Sequence, residues 1–207
     1  MKKLLILLLI SLSVSAFAQT QEPEISYSGT GKIITNDGKE IQGEIRFSFV
    51  NSRKIAYTIA GADEQKILVK EVKEFYISDV HFVKVLSTAL TLAGSNEDIA
   101  IIKTPENFKI KIYETINQGI VGSGSPATYE TIRDMVVLFP NSEKPRSLTD
   151  LSFTPFAKKV SKLVADCASL SEKIATKKDG YKLGMISSAQ QQLDMFMKIS
   201  NEYQECK

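Results

Sequence analysis

The sequence is poor in the residues that enzymes and metal centres use most often. Its 207 residues include no tryptophan, one histidine and two cysteines. A zinc site draws its ligands from several Cys, His and carboxylate side chains, and no second ligand stands at metal spacing from the one histidine. No serine occurs in the Gly-x-Ser-x-Gly motif of the α/β-hydrolases. These absences argue against catalysis and predict no metal, no cofactor and no catalytic residue.

The one histidine, His81, leaves two interpretations open. It follows Asp79 and Val80 at the expected entry to a strand or a turn. It could serve as a general base or a metal ligand oriented by Asp79. It could equally be a partly exposed strand residue without a chemical role, and this interpretation is favoured. A Ser-His-Asp arrangement stays compatible with the sequence, because its members need not be neighbours in the chain.

Long apolar runs are also scarce, and the only one lies at the start of the chain. Lys2 and Lys3 precede an apolar run from Leu4 to Val14, and Ala16-Phe17-Ala18 has the small-x-small pattern that signal peptidase recognises. The sequence therefore predicts a signal peptide over residues 1–18, cleaved between Ala18 and Gln19. The mature protein is expected in the periplasm or outside the cell.

A membrane anchor is not expected. Residues 4–18 are shorter than the about 20 residues that a spanning helix needs. A lipid anchor would need a cysteine next to the cleavage site, and the first cysteine is Cys167. The sequence thus predicts no membrane span once the signal peptide is removed.

The predicted mature chain has no excess of charge of either sign. The full sequence has 26 Lys plus Arg and 24 Asp plus Glu, and Lys2 and Lys3 leave with the signal peptide. The remaining 24 basic and 24 acidic residues balance. Binding to nucleic acid requires clustered positive charge, so no nucleic-acid partner is expected.

Residues 30 to 140 have the pattern of an antiparallel sheet. Asn36-Asp37-Gly38 suits a hairpin turn, because Asp-Gly tolerates positive φ. In the strand that follows, alternate residues form one apolar face, namely Ile41, Gly43, Ile45, Phe47 and Phe49. Further short apolar runs, the last at Met135–Phe139, are separated by polar turns. Roughly eight strands are predicted.

One segment inside this region is rich in glycine and serine. Residues 118–127 contain Gly119 and the run Gly122-Ser123-Gly124-Ser125. Such a composition predicts a flexible loop. These five residues could contact a partner or act as a lid over a ligand.

The period of the apolar residues changes to that of helices from Thr154 onward. Thr154 and Pro155 suit a helix start. Apolar residues then recur three and four apart, at Phe156, Val160, Leu163, Cys167, Leu170 and Ile174. Gly180 and Gly184 should end this helix. Ser188 and Gln191 match a capping box for a second helix.

The two cysteines, Cys167 and Cys206, are expected to form a disulfide in an oxidising compartment. In a simple antiparallel hairpin they would lie about 15 Å apart, because ten residues rise that far along a helix. A bridge therefore requires an offset hairpin, in which residues 176–186 pass beyond the end of the first helix. Two buried, unreactive thiols are the alternative.

Together these patterns predict an α+β protein with a mainly antiparallel curled sheet, either a half-open barrel or a sandwich. The expected organisation is a signal peptide over 1–18, a flexible lead-in over 19–29, a β domain over 30–150 and a C-terminal helical hairpin over 151–207 packed on it. The charges of the two parts differ only slightly, so electrostatic docking between them is expected to be weak.

The pattern G-x-I-x-x-x-D-G-K-x-I-x-G-x-I, which begins at Gly31, resembles uncharacterised exported proteins of Bacteroidota. The segment Asp166-Cys167-x-x-Leu170-x-x-Lys173-Ile174 shows the same resemblance, as does the Ala-Phe-Ala-Gln cleavage site. The resemblance implies export and carries no activity or functional residue.

Three classes of function remain open. The first is a non-catalytic periplasmic or secreted protein that binds an unknown protein partner through a sheet face or edge. The second is a carrier that holds a small apolar ligand in the mouth of the curled sheet. The third, a hydrolase, is the least favoured because no nucleophile is visible.

Overall fold

The computed structural model describes residues 25–51, 53–86, 97–121, 128–153, 155–184 and 187–206. The predicted signal peptide, its cleavage site at Ala18 and Gln19, and Gly122, Ser123, Gly124 and Ser125 of the predicted loop lie outside these residues. Within the described ranges, no helix is both long and apolar enough to cross a membrane.

All ten strands of the described chain form one open antiparallel sheet. Their order across the sheet is β10-β9-β8-β7-β6-β5-β1-β2-β3-β4. The strands are β1 (Ser26–Thr35), β2 (Glu40–Ser48), β3 (Lys54–Thr58), β4 (Gln65–Leu68), β5 (Val72–Ile77), β6 (Val80–Leu86), β7 (Glu97–Ile102), β8 (Lys111–Val121), β9 (Thr128–Leu138) and β10 (Arg146–Ser147). The predicted antiparallel α+β class is confirmed, but the predicted count of eight strands is too low.

The β1–β2 hairpin forms where the sequence placed it. Gly38 has φ of 84° in the turn, and β1 pairs with β2 in continuous register from Ser26↔Ser48 onward. The apolar face of β2 points inward, with Ile45 and Phe47 fully buried. The predicted lead-in over 19–29 is too long, because Ser26 already pairs as part of β1.

Two glycines let β1 and β2 pass close to their neighbours. Gly31 and Gly43 pair across the two strands. A Cβ atom on Gly31 would lie 1.9 Å from the carbonyl oxygen of Tyr76, and one on Gly43 would lie 2.3 Å from that of Thr58. No side chain fits at these distances, so the close backbone approach requires glycine at both positions.

Four helices follow the sheet, where two were predicted. They are α1 (Leu148–Ser152), α2 (Phe156–Leu163), α3 (Ala168–Ala175) and α4 (Ala189–Gln204). The predicted first helix is divided into α2 and α3, because the backbone leaves helical geometry at Val164 and Cys167. The apolar stripe hides this break, since its residues on both sides face the same core. The predicted capping box of Ser188 and Gln191 is confirmed at the start of α4.

Two large cores lie on the inner face of the sheet. The helical core joins all four helices to β8 and β9 through Ile112 and Val137. The aromatic core fills the curve formed by β1 to β7, with Phe47, Phe75 and Phe82 each at most 2% exposed. The rings of Phe75 and Phe82 stack with centroids 4.6 Å apart. Ile116 of β8 also belongs to the aromatic core, which therefore extends from β7 to the next strand.

Candidate interaction surface

Strands β8 and β9 pair with each other along their whole length, but their neighbours cover only one end. Their register is continuous across residues 111–121 and 128–138. β7 pairs with β8 only at residues 113–115. β10 pairs with β9 only at residues 136 and 137. At the other end of the hairpin, the described parts of the two strands pair only with each other.

We define the ribbon as residues 116–121 of β8 and 128–133 of β9. Among the described residues no third strand pairs with it. The side of Thr128–Arg133 that faces away from β8 is the β9 edge. It ends at Asp134, which accepts a hydrogen bond from the Ser147 hydroxyl at 3.2 Å.

The β9 edge has the properties of a strand-pairing template. Alternate residues of an edge strand direct their backbone N–H and C=O groups outward, where only water or another chain can satisfy them. The residues are rich in β-branched and aromatic types, which favour strands: Thr128, Tyr129, Thr131 and Ile132. Ile132 is 48% exposed, which is unusual for an isoleucine in a strand.

A buried ionic cluster fixes the base of the ribbon. The Glu114 side chain, 7% exposed, lies on the inner face between the helical and aromatic cores. Lys103 Nζ approaches one of its carboxylate oxygens at 2.6 Å, and Arg133 donates to the other at 2.7 Å. Burial raises the pKa of Glu114, but the two cations more than offset this effect, so the pKa lies below its usual range.

Arg133 extends this cluster across the inside of the sheet. Besides Glu114, it interacts with the Tyr27 side chain of β1, a strand five positions away from β9 in the sheet order. Tyr27 in turn packs edge-on against Phe82, with ring centroids 5.1 Å apart. The base of the ribbon is thus held by Glu114 and Tyr27, while no described strand pairs with the β9 edge beyond it.

Sequence reasoning did not identify this ionic cluster. Its signal was present: Glu114 stands between Ile112 and Ile116 at the two-residue period of an inward-facing strand. A charge at an inward position requires a partner. The partners Lys103 and Arg133 come from other strands or loops, so the pairing could not be read from spacing.

The structure encloses His81 more tightly than the sequence suggested. It lies in β6, where its side chain is only 11% exposed. Its Nε2 is 2.9 Å from Glu74 Oε2, and its ring stacks on Tyr76 with centroids 4.1 Å apart. The carboxylates beside it are therefore Glu74 and Glu106, and no contact with Asp79 is seen among the described residues.

The remaining ring nitrogen of His81 is also screened from solvent. Nδ1 lies 3.2 Å from Glu106 Oε1, but it is not aligned for a hydrogen bond to any described residue. The same Glu106 oxygen accepts from the Tyr76 hydroxyl at 3.0 Å. Burial, followed by the nearby carboxylates, raises the pKa of Tyr76. This packing holds the imidazole in place and leaves little room for a substrate.

A metal site does not assemble in the described part of the chain. No group of three His, Cys, Asp or Glu side chains there is placed to hold an ion. Glu74 and Glu106 approach different nitrogens of His81, so they do not converge on a common point.

The predicted disulfide between Cys167 and Cys206 is present, with Cα atoms 5.7 Å apart. It joins the turn before α3 to the end of α4. Between the two cysteines, α3 ends at Ala175 and α4 begins at Ala189.

A groove of about 760 Å³ lies beside the disulfide. Its charged lining includes Asp166, Lys173, Glu202 and Glu205. These side chains bond within the fold: the Tyr203 hydroxyl donates to Asp166, and Lys173 donates to Glu202 at 3.0 Å. The groove therefore has few polar groups left to orient a ligand.

The predicted loop over residues 118–127 begins too early. β8 continues to Val121, so Gly119 is a strand residue that pairs with Glu130. Pairing along β9 drives this extension, because each added residue satisfies backbone groups that a loop would leave to water. A role of Gly119 or its neighbours as a contact or lid remains a prediction.

Comparison of the chain with known protein families, curated proteins and solved structures finds no match. The geometry of the described residues is therefore the basis for a function.

Proposed function

We propose that this chain is a non-catalytic, exported interaction protein that binds an extended segment of a protein partner at the β9 edge. The segment would add to the sheet as a further strand, a mode in which backbone hydrogen bonds supply affinity and alternate side chains supply specificity. The observation that carries the proposal is that, among the described residues, no strand other than β8 pairs with residues 128–132 of β9.

The two end strands of the sheet, β4 and β10, suit this role less well. β4 at one end is only four residues long, and Lys66 within it and Glu64 beside it add exposed charge. Short, charged edge strands are a common way to prevent pairing with other chains. β10 at the opposite end has two residues. The β9 edge is longer and is anchored at its base by the Glu114 cluster.

Export is supported by the disulfide. Structural disulfides persist in oxidising compartments and are rare in the cytosol. The bridge between Cys167 and Cys206 is compatible with a periplasmic or secreted location, which the leader sequence also favours.

The alternative function, a carrier of a small apolar ligand, receives less support. A carrier needs an apolar cavity inside the curve of the sheet. Here Phe47, Phe75 and Phe82 occupy that curve at near-complete burial. A hydrolase is less favoured still, because His81 is enclosed by Glu74 and Tyr76.

Site-specific photo-crosslinking tests the proposal. A photoreactive amino acid replaces Ile132 on the ribbon or, as a control, Gln42 on the exposed polar face of β2. Both variants are expressed in the native host and irradiated in intact cells. We expect a discrete protein adduct from position 132 and none from position 42. Equal labelling at both positions, or none at position 132, would contradict the proposal.

A further inference from the structure

We propose that His81 is a pH-dependent clasp that fastens the connection between β7 and β8, residues 103–110, to the outer face of the sheet. The proposal is independent of the β9 edge, because it concerns other strands and a change of charge within the chain. Its basis is an imidazole that the fold encloses and that has a carboxylate beside each of its two ring nitrogens.

The imidazole lies on the face of the sheet opposite the aromatic core. Its neighbour Phe82 points into that core, and side chains alternate along a strand, so His81 points the other way. Its side chain is nevertheless only 11% exposed, and Tyr76 of β5 stacks on the ring with centroids 4.1 Å apart. This packing fixes the plane of the ring and the directions of its two nitrogens.

The two carboxylates come from different parts of the chain. Glu74 Oε2 lies 2.9 Å from Nε2 of His81, and Glu106 Oε1 lies 3.2 Å from Nδ1. Glu74 belongs to β5, which pairs with β6, so its place beside the ring is set by the sheet. Glu106 lies in the connection between two strands. Its contact with the ring is therefore one that the connection can gain or lose.

The number of N–H groups on the ring decides how many of these contacts are hydrogen bonds. A neutral imidazole has one N–H donor and one acceptor nitrogen, whereas the protonated ring has two donors. An ionised carboxylate only accepts. In either neutral tautomer one nitrogen lone pair therefore faces a carboxylate oxygen with no proton between them. Protonation removes this conflict and provides a charge-assisted hydrogen bond to each glutamate.

The hydrogen bond to Glu106 is the one that the proton would complete. Nδ1 of His81 is screened from solvent and is not aligned for a hydrogen bond to any described residue. The Glu106 side chain is 67% exposed, so it can rotate toward the ring, whereas the stacked imidazole is held. Tyr76 donates to the same Glu106 oxygen at 3.0 Å, and burial raises the pKa of Tyr76, so its hydroxyl stays a donor at neutral pH.

Three lysines near the site moderate its negative charge. Lys32 of β1 lies 4.9 Å from the centroid of the tyrosine ring that stacks on the imidazole, and β5 separates β1 from β6. Lys73 Nζ is 3.7 Å from Oε1 of Glu74, the oxygen other than the one at the ring. Lys111 donates to the backbone oxygen of Glu106. None of these three contacts involves the carboxylate oxygen that faces Nδ1, so they do not replace the proton.

The β7–β8 connection also holds the end of α4. The Lys109 amide donates to Gln204 Oε1 at 2.9 Å, and Gln204 Nε2 donates to the Asn107 carbonyl oxygen at 3.1 Å. Lys109 Nζ donates to the carbonyl oxygen of Cys206 at 2.9 Å. The connection therefore links the site of His81 to the last turn of α4 and to the disulfide. A proton on the imidazole should steady this junction between the sheet and the helices.

The direction of the pH effect follows from the two donors. Imidazoles change charge between about pH 5 and pH 8, whereas glutamates are ionised above about pH 4.3. The clasp should therefore be closed near pH 5.5 and open near pH 8, values that bracket the range in which imidazoles titrate. Its contribution is gained as pH falls, which is the opposite of the behaviour of a carboxylate with a lowered pKa.

Amide hydrogen exchange at these two pH values, corrected for the intrinsic effect of pH on exchange, tests the clasp. The amides of Phe108 and Lys109 both make hydrogen bonds in the connection and are the reporters. We expect their protection to be about twofold to fivefold higher at the lower pH, which is the size of a partly exposed charge pair. Ile45, fully buried in β2, is the internal control and should show no such rise.

Two variants separate the clasp from a general effect of pH. Glu106→Gln changes an exposed side chain, and His81→Gln removes the one histidine of the chain. Both should abolish the difference in protection between the two pH values. Glu143→Gln, a change at another exposed acid, should keep it. The Glu106 variant keeps the test decisive even where the variant at the enclosed His81 fails to fold.

Ring-nitrogen NMR of the untagged protein adds the protonation state, since every imidazole signal then belongs to His81. We expect protons on both ring nitrogens at the lower pH and on one at the higher pH. Equal protection of the connection at both pH values overturns the inference, as does a difference that persists in Glu106→Gln or a ring that stays neutral at the lower pH. The crosslinking test at position 132 is unaffected by any of these results.

Discussion

The two ends of the β8–β9 hairpin belong to the same pair of strands but differ in their burial and in the elements packed against them. At the base, Ile112 and Val137 are completely buried under the helices. At the far end, no strand of the described residues pairs with the β9 edge, and Ile132 is 48% exposed. The Glu114 cluster marks the boundary between them.

Under the proposed function, one hairpin combines stability at its base with recognition at its far end. An isolated two-stranded ribbon is marginally stable in water. The ribbon here continues from strands that the helical core, the disulfide and Glu114 hold in place. A partner strand would therefore meet an edge whose direction and register are already set, and this reduces the entropy lost on binding.

The largest loss of stability is expected from a cavity in the helical core, which covers the base of the β8–β9 hairpin. Phe196 of α4 is fully buried and packs edge-on against Phe156, with centroids 6.0 Å apart. Phe196→Ala should lower the free energy of unfolding by about 3–5 kcal/mol. Chemical denaturation measures the loss, and Asn201→Ala on the exposed side of α4 is the control. A loss below about 1 kcal/mol would show that the helical core does not support the base.

Removal of the disulfide should cause the next largest loss in the free energy of unfolding. The C167S/C206S double variant frees a loop with a sequence separation of 39 residues. The expected loss is about 2–4 kcal/mol, since the bridge restricts the unfolded chain. Binding of a partner at the β9 edge should persist under conditions where the variant stays folded. If binding disappeared with the fold intact, the helical end would itself belong to the interface.

Glu114→Gln changes the residue at the boundary between the two ends. It should lower the free energy of unfolding by about 2 kcal/mol at neutral pH, because Lys103 and Arg133 would lose their shared carboxylate. The figure lies below that for a fully buried pair, since both cations are about one-third exposed. Denaturation at several pH values measures the effect, with Glu143→Gln, an exposed acid, as the control.

The pH dependence of this variant has a defined sign. The folded-state pKa of Glu114 is lowered, so its carboxylate stabilises the fold above the unfolded-state pKa of about 4.3. That contribution is lost as pH falls through the folded-state value. The stability difference between wild type and Glu114→Gln should therefore shrink below about pH 4. A difference that stays constant into strong acid would contradict the ionic role.

The smallest effect on stability is expected at the exposed end. Ile132→Ser removes an apolar side chain that is 48% exposed, and it should change the free energy of unfolding by less than about 0.5 kcal/mol. The same variant should weaken binding of the partner strand, because it removes an exposed apolar side chain from the ribbon. A large loss of stability without any change in binding would mean that the ribbon is structural.

Local patterns predicted the local structure well. The Asp-Gly turn and the alternation from Ile41 to Phe47 correctly placed the β1–β2 hairpin, because both signals lie within a few residues of each other. The capping box at Ser188 did the same for α4. The disulfide followed from the compartment and from there being only two cysteines.

The features that place the interaction surface are non-local. Glu114 meets Arg133 across 19 residues and Tyr27 joins them from the start of the sheet, so no spacing revealed the cluster. The ribbon was hidden because Gly119 and the glycine-serine run resemble a loop, whereas pairing with β9 extends β8 to Val121. The division of the predicted first helix was not visible in the sequence, because its apolar residues keep the helical spacing of three and four on both sides of the break.

Amide hydrogen exchange at the two ends of the hairpin tests the central claim most directly. In the protein alone, the outward amides of Thr128–Arg133 should exchange rapidly while those of Ile112 and Val137 stay protected. Protection on the β9 edge should rise when a partner strand adds to it. Edge amides as protected as the base in the protein alone would show that the edge is already covered, and would contradict the account.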